Sequence, residues 1–167
     1  MDDCYYELVK AQYAMGGMNH LNLWETTLSV AERTSIDAAP ELLERCAIET
    51  SSSWLDENLP RLGRTADPID DAYRISYDSY LGISAPGDGE IVERTPSRLF
   101  PRWWDLCPTL DACQQLVLDT REVCNKGYHK SVQIFLSGID PRLRFERNHE
   151  TLRPHSPYCE EVLSIQE

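Results

Sequence analysis

The residue types able to do chemistry gather in the last third of this sequence. Arg142, Arg144, Arg147 and Arg153 fall within twelve positions of a chain whose formal net charge is −12. A guanidinium grips a carboxylate through two parallel hydrogen bonds, so an acidic small molecule would want one or two of them. Arg142, Arg144 and Arg153 are the candidate anchors. The competing reading has Arg142 and Arg144 covering the solvent face of an edge strand, paired with Glu146 or Glu160.

Six cysteines add nucleophiles: Cys4, Cys46, Cys107, Cys113, Cys124 and Cys159. Cys107 stands just before a helix start, where the dipole favours the thiolate. Cys159 opens the last apolar run, beside Glu160 and Glu161. Either thiol could attack a C=N bond or orient the attack, with His149 or Glu161 handling the proton. Cys113 and Cys124 lie on apolar helical stripes and read as core, and His20 reads as a buried imidazole. Cys107, Cys159, His149 and His155 are of zinc-ligand type, but no Cys-x-x-Cys spacing demands a site. The expectation is therefore no metal and no cofactor, with zinc as the alternative. Trp103 and Trp104 could wall an apolar pocket; core packing or a homodimer contact explains them equally well. Tyr77 reads as a core residue whose hydroxyl could reach a ligand.

Those groups have to be positioned by regular elements. Apolar residues at helical spacing predict a long helix over Tyr5–Ala31 and a second from Pro40 towards Asn58, ended by Pro60. Asp67 as cap, Pro68 at the first position, and Asp70 with Asp71 announce a third. Its stripe is Ile69, Ala72, Tyr73, Tyr77 and Tyr80. The loop Ala85-Pro86-Gly87-Asp88-Gly89 divides a helical half (1–84) from a second half (90–167) of one domain.

Glu90–Thr95 reads as a strand stopped by Pro96. A short helix after Cys107-Pro108 carries Leu110, Cys113, Leu116 and Val117. A further helix is capped at Asp119 and closed by Gly138. Arg142–Glu146 alternates strictly, with Leu143 and Phe145 inward, and Cys159–Ile165 is the last strand. The expected fold class is α+β: N-terminal helices packed on a small, mainly antiparallel sheet in the order strand-helix-helix-strand-strand.

Composition narrows the function classes. With 28 acidic against 16 basic residues, the chain repels phosphate backbones and anionic membranes, so neither nucleic acid nor membrane is expected as a partner. No apolar run approaches the roughly 20 residues needed to span a bilayer. The opening Met1-Asp2-Asp3-Cys4 is not a basic leader, so a cytoplasmic location with reduced thiols is the default expectation.

The stretch from Cys107 to Ile165 resembles the C-terminal part of the L-2-amino-thiazoline-4-carboxylic acid hydrolase family. The residues behind this are Cys107-Pro108, Leu118-Asp119-Thr120-Arg121-Glu122-Val123-Cys124, Ile139-Asp140-Pro141-Arg142-Leu143-Arg144-Phe145 and Tyr158-Cys159-Glu160-Glu161. The related 4-vinyl reductase domains share a comparable layout, and many of them bind small molecules without catalysis. The resemblance implies hydrolytic opening of a carboxylate-bearing cyclic amidine. It also leaves open a small-molecule sensor, or a cyclase or isomerase of secondary metabolism, on the same scaffold.

Overall fold

The structure, a computed structural model, describes residues 39–104, 107, 109–110, 113–114 and 117–166. The helix expected over Tyr5–Ala31 lies outside them. The chain divides into two compact units: Met1–Thr50 with Cys107–Ser131, and Ser51–Leu106 with Val132–Glu167. No helix among the described residues is long and apolar enough to cross a membrane.

Helix α1 spans Ala39–Leu62 and runs through Pro60 rather than ending there. In the last turn a proline removes only one ladder bond, so the helix continues for two more residues. Gly63 closes it in the left-handed region (φ 70°), donating its N–H to the Leu59 carbonyl at 2.9 Å.

Helix α2, Pro68–Ala72, starts as its sequence predicts. The Asp67 carboxylate accepts from the Ile69 and Asp70 amides at 3.0 and 3.1 Å, with Pro68 in the first turn. The chain then widens into a π-helix over Tyr73–Leu81, closed by Gly82 at φ 70°. In a π-turn each N–H reaches one residue further back than in an α-turn, so the buried stripe departs from α-helical spacing. Three consecutive residues, Ile75, Ser76 and Tyr77, are buried on it.

Four strands follow: β1 (Gly89–Thr95), β2 (Arg98–Trp103), β3 (Leu143–Asn148) and β4 (Cys159–Ile165). They form one sheet in the order β1-β2-β4-β3, antiparallel throughout. The fold is α+β as expected, but the elements described in the second half run strand-strand-helix-helix-strand-strand, with residues 109–110 and 113–114 also helical. The correction is β2. Pro96 was expected to stop a lone strand and instead sits in the turn of a hairpin, with Thr95 opposite Arg98. Pro101, which argues against a central strand, is tolerated beside a register shift in β1 between Ile91 and Glu93. On the β4 side the ladder pairs Arg98, Leu99, Arg102 and Trp103, and passes over Phe100 and Pro101.

One sheet face is apolar. Leu99, Leu143, Phe145 and Leu163 join Leu55, Ile69, Ala72, Ile75, Phe135, Leu136 and Ile139 in the core of the second unit. Each fully buried leucine contributes about 1.5–3 kcal/mol by leaving water. Trp54, Tyr80 and Phe135 form an aromatic cluster at its margin, with Tyr80 and Phe135 stacked at 4.8 Å.

The single helix expected from Asp119 to Gly138 is two: α3 (Thr120–Gly127) and α4 (His129–Ile139), broken at Tyr128. Asp119 caps α3 as expected, accepting from the Arg121 amide at 2.9 Å. Val117, assigned to an apolar stripe, is 92% exposed with φ 56° and belongs to a turn. Gly138 does not close α4 but lies within it, where a Cβ would stand 2.6 Å from Leu55 Cδ2. The closing cation is Arg64, which donates to the carbonyls of Ile139 and Gly138 at 2.7 and 2.8 Å. From α4, Gln133 reaches the free edge of β3. Its amide N–H donates to the Leu143 carbonyl at 3.0 Å, and its oxygen accepts from the Phe145 amide at 2.9 Å.

Candidate functional site

The core face of the sheet changes character along its length. At the end defined by Leu143 opposite Ile165 it is apolar. At the other end the same period-2 positions carry Arg147 and Glu161, opposite one another, and Trp103 opposite Cys159. Four groups with chemical potential therefore share one end of one face.

Tyr77 of the π-helix completes this cluster. Its hydroxyl donates to Glu161 Oε2 at 2.7 Å. Arg147 donates to the other oxygen, Oε1, through Nε at 3.1 Å and through a second guanidinium nitrogen. Tyr77 and Glu161 are 4% and 7% exposed, so this is a buried charge pair with a phenol attached. Burial, and then the negative charge of Glu161, push the Tyr77 phenol well above its ordinary range. Tyr77 is therefore a hydrogen-bond donor and not a base. Both oxygens of Glu161 are already engaged, which makes the carboxylate a hub that ties the π-helix to β4 and β3.

Trp103 closes the other side. Its ring lies 4.8 Å from that of Tyr77, centroid to centroid. Gly89 across the hairpin gives it room, since a Cβ there would come within 2.5 Å of the indole. The indole N–H is buried and directed at the Tyr77 hydroxyl oxygen.

The rim of this end is built from the loop between β3 and β4. Leu152, 1% exposed, pins the loop. Arg153 donates to the Trp104 carbonyl at 2.6 Å, and Trp104 itself is 43% exposed. His149 is half-buried just after β3, and Cys159 is half-buried at the start of β4. Glu160 points to the opposite sheet face. Burial pushes its carboxyl up, but hydrogen bonds from Arg102, Thr151 and Asn148 outweigh this and hold it below its ordinary value.

Of the residues singled out in the sequence, Tyr77 and Glu161 are thus in direct contact, and Arg153 is bonded to Trp104. Cys159 and His149 lie at the same end of the sheet. Arg142 and Arg144 lie at the other end. Arg142 is exposed and clamps the Asp140 carboxylate at 3.0 and 2.8 Å, which lowers that carboxyl. Arg144 donates to Gln166 at 2.5 Å and to the carbonyls of Pro141 and Leu143. Cys107 belongs to the first unit, whereas Cys159, His149 and His155 belong to the second. Among the described residues, no three His, Cys, Asp or Glu side chains are grouped as a metal site. Two further thiols of the first unit, Cys46 and Cys113, are pushed up to about 11 by burial.

Of the cluster, Arg147 has no assigned role in the sequence reading, and Trp103 is read there only as a pocket wall, core packing or a homodimer contact. For Arg147 the signal was present: it continues the inward positions Leu143 and Phe145 in steps of two. For Trp103 the bulky ring was the signal, but its place on a strand was not legible, because β2 itself is not announced by the sequence. No protein-family model, curated protein or solved structure matches the chain.

Proposed function

We propose that the chain is a small-molecule-binding protein whose ligand site is the polar end of the sheet in the second unit. The observation behind this is the Tyr77–Glu161–Arg147 network. Placing an ion pair in a core costs several kcal/mol of desolvation per ion, and packed apolar side chains would stabilise as much or more. A polar cluster confined to one end of an otherwise apolar face, beside a loop carrying His149, Arg153 and His155, is the pattern of a site.

Hydrolytic opening of a carboxylate-bearing cyclic amidine, the reaction that the family resemblance implies, is the catalytic version of this reading. In it Arg153 anchors the carboxylate, Cys159 attacks or orients, and His149 handles the proton. The geometry favours binding over turnover. A general base needs an accessible lone pair, and Glu161 has both oxygens occupied at 7% exposure. Arg142 and Arg144 belong to neither version, since Asp140 and Gln166 hold them.

One experiment separates the two. The purified chain is analysed by native and denaturing mass spectrometry for a retained small molecule, then incubated with 2-amino-thiazoline-4-carboxylate. Binding without product supports the proposal. Accumulation of a carbamoylated cysteine, abolished by Cys159→Ser with unchanged circular dichroism, supports the hydrolase instead. Neither ligand nor product would sink both.

A further inference from the structure

The polar end of the sheet is sealed in this structure. Tyr77 and Trp103 are 4% and 6% exposed, so a ligand reaches Glu161 only if part of the cover moves. Two connecting segments of the second unit border that end. The loop between β3 and β4 is anchored by Leu152, 1% exposed, and by Arg153 on the Trp104 carbonyl. The other is the strap from Gly82, which closes the π-helix, to Asp88, which precedes β1. Its apolar anchor is Ile83, which is only partly buried against the core. Its hydrogen bonds end on the walls of the site. The Ile83 amide donates to the Tyr77 carbonyl at 3.0 Å, the Ala85 amide to the Tyr73 hydroxyl at 3.0 Å, and the Trp104 amide to the Asp88 carbonyl at 3.0 Å. The rings of Tyr73, Tyr77 and Trp103 follow one another at 5.8 and 4.8 Å, so the strap is tied to the first of the row and to the residue after the last.

Within the strap, Asp88 accepts from the Ser84 amide at 2.6 Å through its side chain and donates its own amide to the Ser84 carbonyl at 2.8 Å. Residues 84–88 are thus one closed turn that moves as a unit. Gly82 supplies the hinge: it holds φ 70°, and the space where a side chain would stand is open. A segment with little apolar anchorage, held by a few hydrogen bonds near the surface, opens at a fraction of the free energy of global unfolding. The β3–β4 loop, with a fully buried leucine, does not meet that description. We propose that Gly82–Asp88 is the lid of the site: it swings about Gly82, releases Tyr73 and Trp104, and uncovers Trp103 and the Tyr77–Glu161 pair behind it. This rests on the small-molecule reading above and adds the route by which a ligand enters.

The test is residue-resolved hydrogen exchange by NMR on the full chain. The reporter of access is the buried indole N–H of Trp103, and the reporters of the strap are the amides of Ala85 and Trp104. In wild type all three are expected to exchange together, and much faster than the slowest amides of β4. Tyr73→Phe removes the acceptor of Ala85 and should speed all three about fivefold, with the β4 amides unchanged. An indole N–H that exchanges only as slowly as β4, or a variant that speeds Ala85 alone, overturns the lid. Should Tyr73→Phe fail to fold by circular dichroism, Asp88→Ala, which removes the acceptor of the Ser84 amide, takes its place with the same expectation. A small molecule found by native mass spectrometry that slows exchange of the strap and the indole supports the proposal. One that binds and leaves both rates unchanged keeps the small-molecule reading standing while the lid falls.

Discussion

Truncating Tyr77 to phenylalanine removes one oxygen atom and leaves Glu161 Oε2 without its donor, in a position 7% exposed. A hydrogen bond to a buried charged group contributes about 1.5–3 kcal/mol, and Arg147 still holds the other carboxylate oxygen, so the expected loss is about 2 kcal/mol. For a chain of 167 residues that corresponds to a fall in Tm of roughly 4–8 °C. Glu161→Leu should cost more, about 3–5 kcal/mol, because it leaves the Arg147 guanidinium, 13% exposed, buried without its counter-charge. Adding Arg147→Met to Glu161→Leu should then recover part of that loss, since an apolar pair replaces a stranded cation. Urea denaturation followed by far-ultraviolet circular dichroism gives all three free energies on one scale. If Tyr77→Phe is neutral, or Glu161→Leu is no worse than Tyr77→Phe, the network is not the buried hub described above. Failure of the double variant to regain stability over Glu161→Leu would show that Arg147 is not desolvated.

Other expectations can be checked with the same denaturation assay. Gly89→Ala places a methyl 2.2 Å from the Arg102 carbonyl, a backbone atom that cannot swing aside, and should cost about 1–3 kcal/mol. Gly138→Ala meets only the end of the Leu55 side chain and gains about 1 kcal/mol of helix propensity, so it should fall well below Gly89→Ala in cost. Asp67→Ala should cost about 1 kcal/mol through loss of the two amide bonds that start α2. Tyr77 has its folded pKa raised, so its share of stability is present below the ordinary value of 10.0 and lost as pH rises beyond it. Wild type should therefore lose stability above that pH more steeply than Tyr77→Phe. Glu160 is shifted the other way, so its share is present above the ordinary 4.5 and lost as pH falls through the lowered folded value. Arg102→Ala should flatten that acid limb.

Local chemistry was legible in the sequence wherever it is decided locally. Asp67 with Pro68, and Asp119 with the residues after it, cap helices by bonds to amides two or three residues away, which a reader of the chain can count. The alternation through Leu143 and Phe145 likewise gave the face of β3. What stayed hidden depends on distant partners. Tyr77 and Glu161 are 84 residues apart, and nothing near either one says that they meet. β2 was concealed by Pro101, whose missing donor is harmless only because the ladder to β4 passes over it and β1 shifts register beside it. The π-helix was read as an ordinary helix because Tyr73, Tyr77 and Tyr80 suit α-helical spacing, and only the burial of Ser76 between Ile75 and Tyr77 reveals the wider turn. Arg142 and Arg144 attracted attention by their number, yet the arginine that entered the cluster was Arg147, whose phase in the strand mattered more than its company.

The reach of Gln133 to the rim of β3 has a consequence for the life of the chain beyond its native state. An open strand edge is a template for another strand, and here one side chain from α4 occupies the carbonyl of Leu143 and the amide of Phe145. Protection of that edge therefore depends on the integrity of a helix rather than on the sheet. Should α4 fray while the four strands remain paired, a run containing Leu143 and Phe145 would present vacant backbone groups to its neighbours in solution. The hazard of self-assembly is then set by a local opening and not by global unfolding, and Gln133→Ala should bring fibril or oligomer formation forward in time with little change in the midpoint of denaturation.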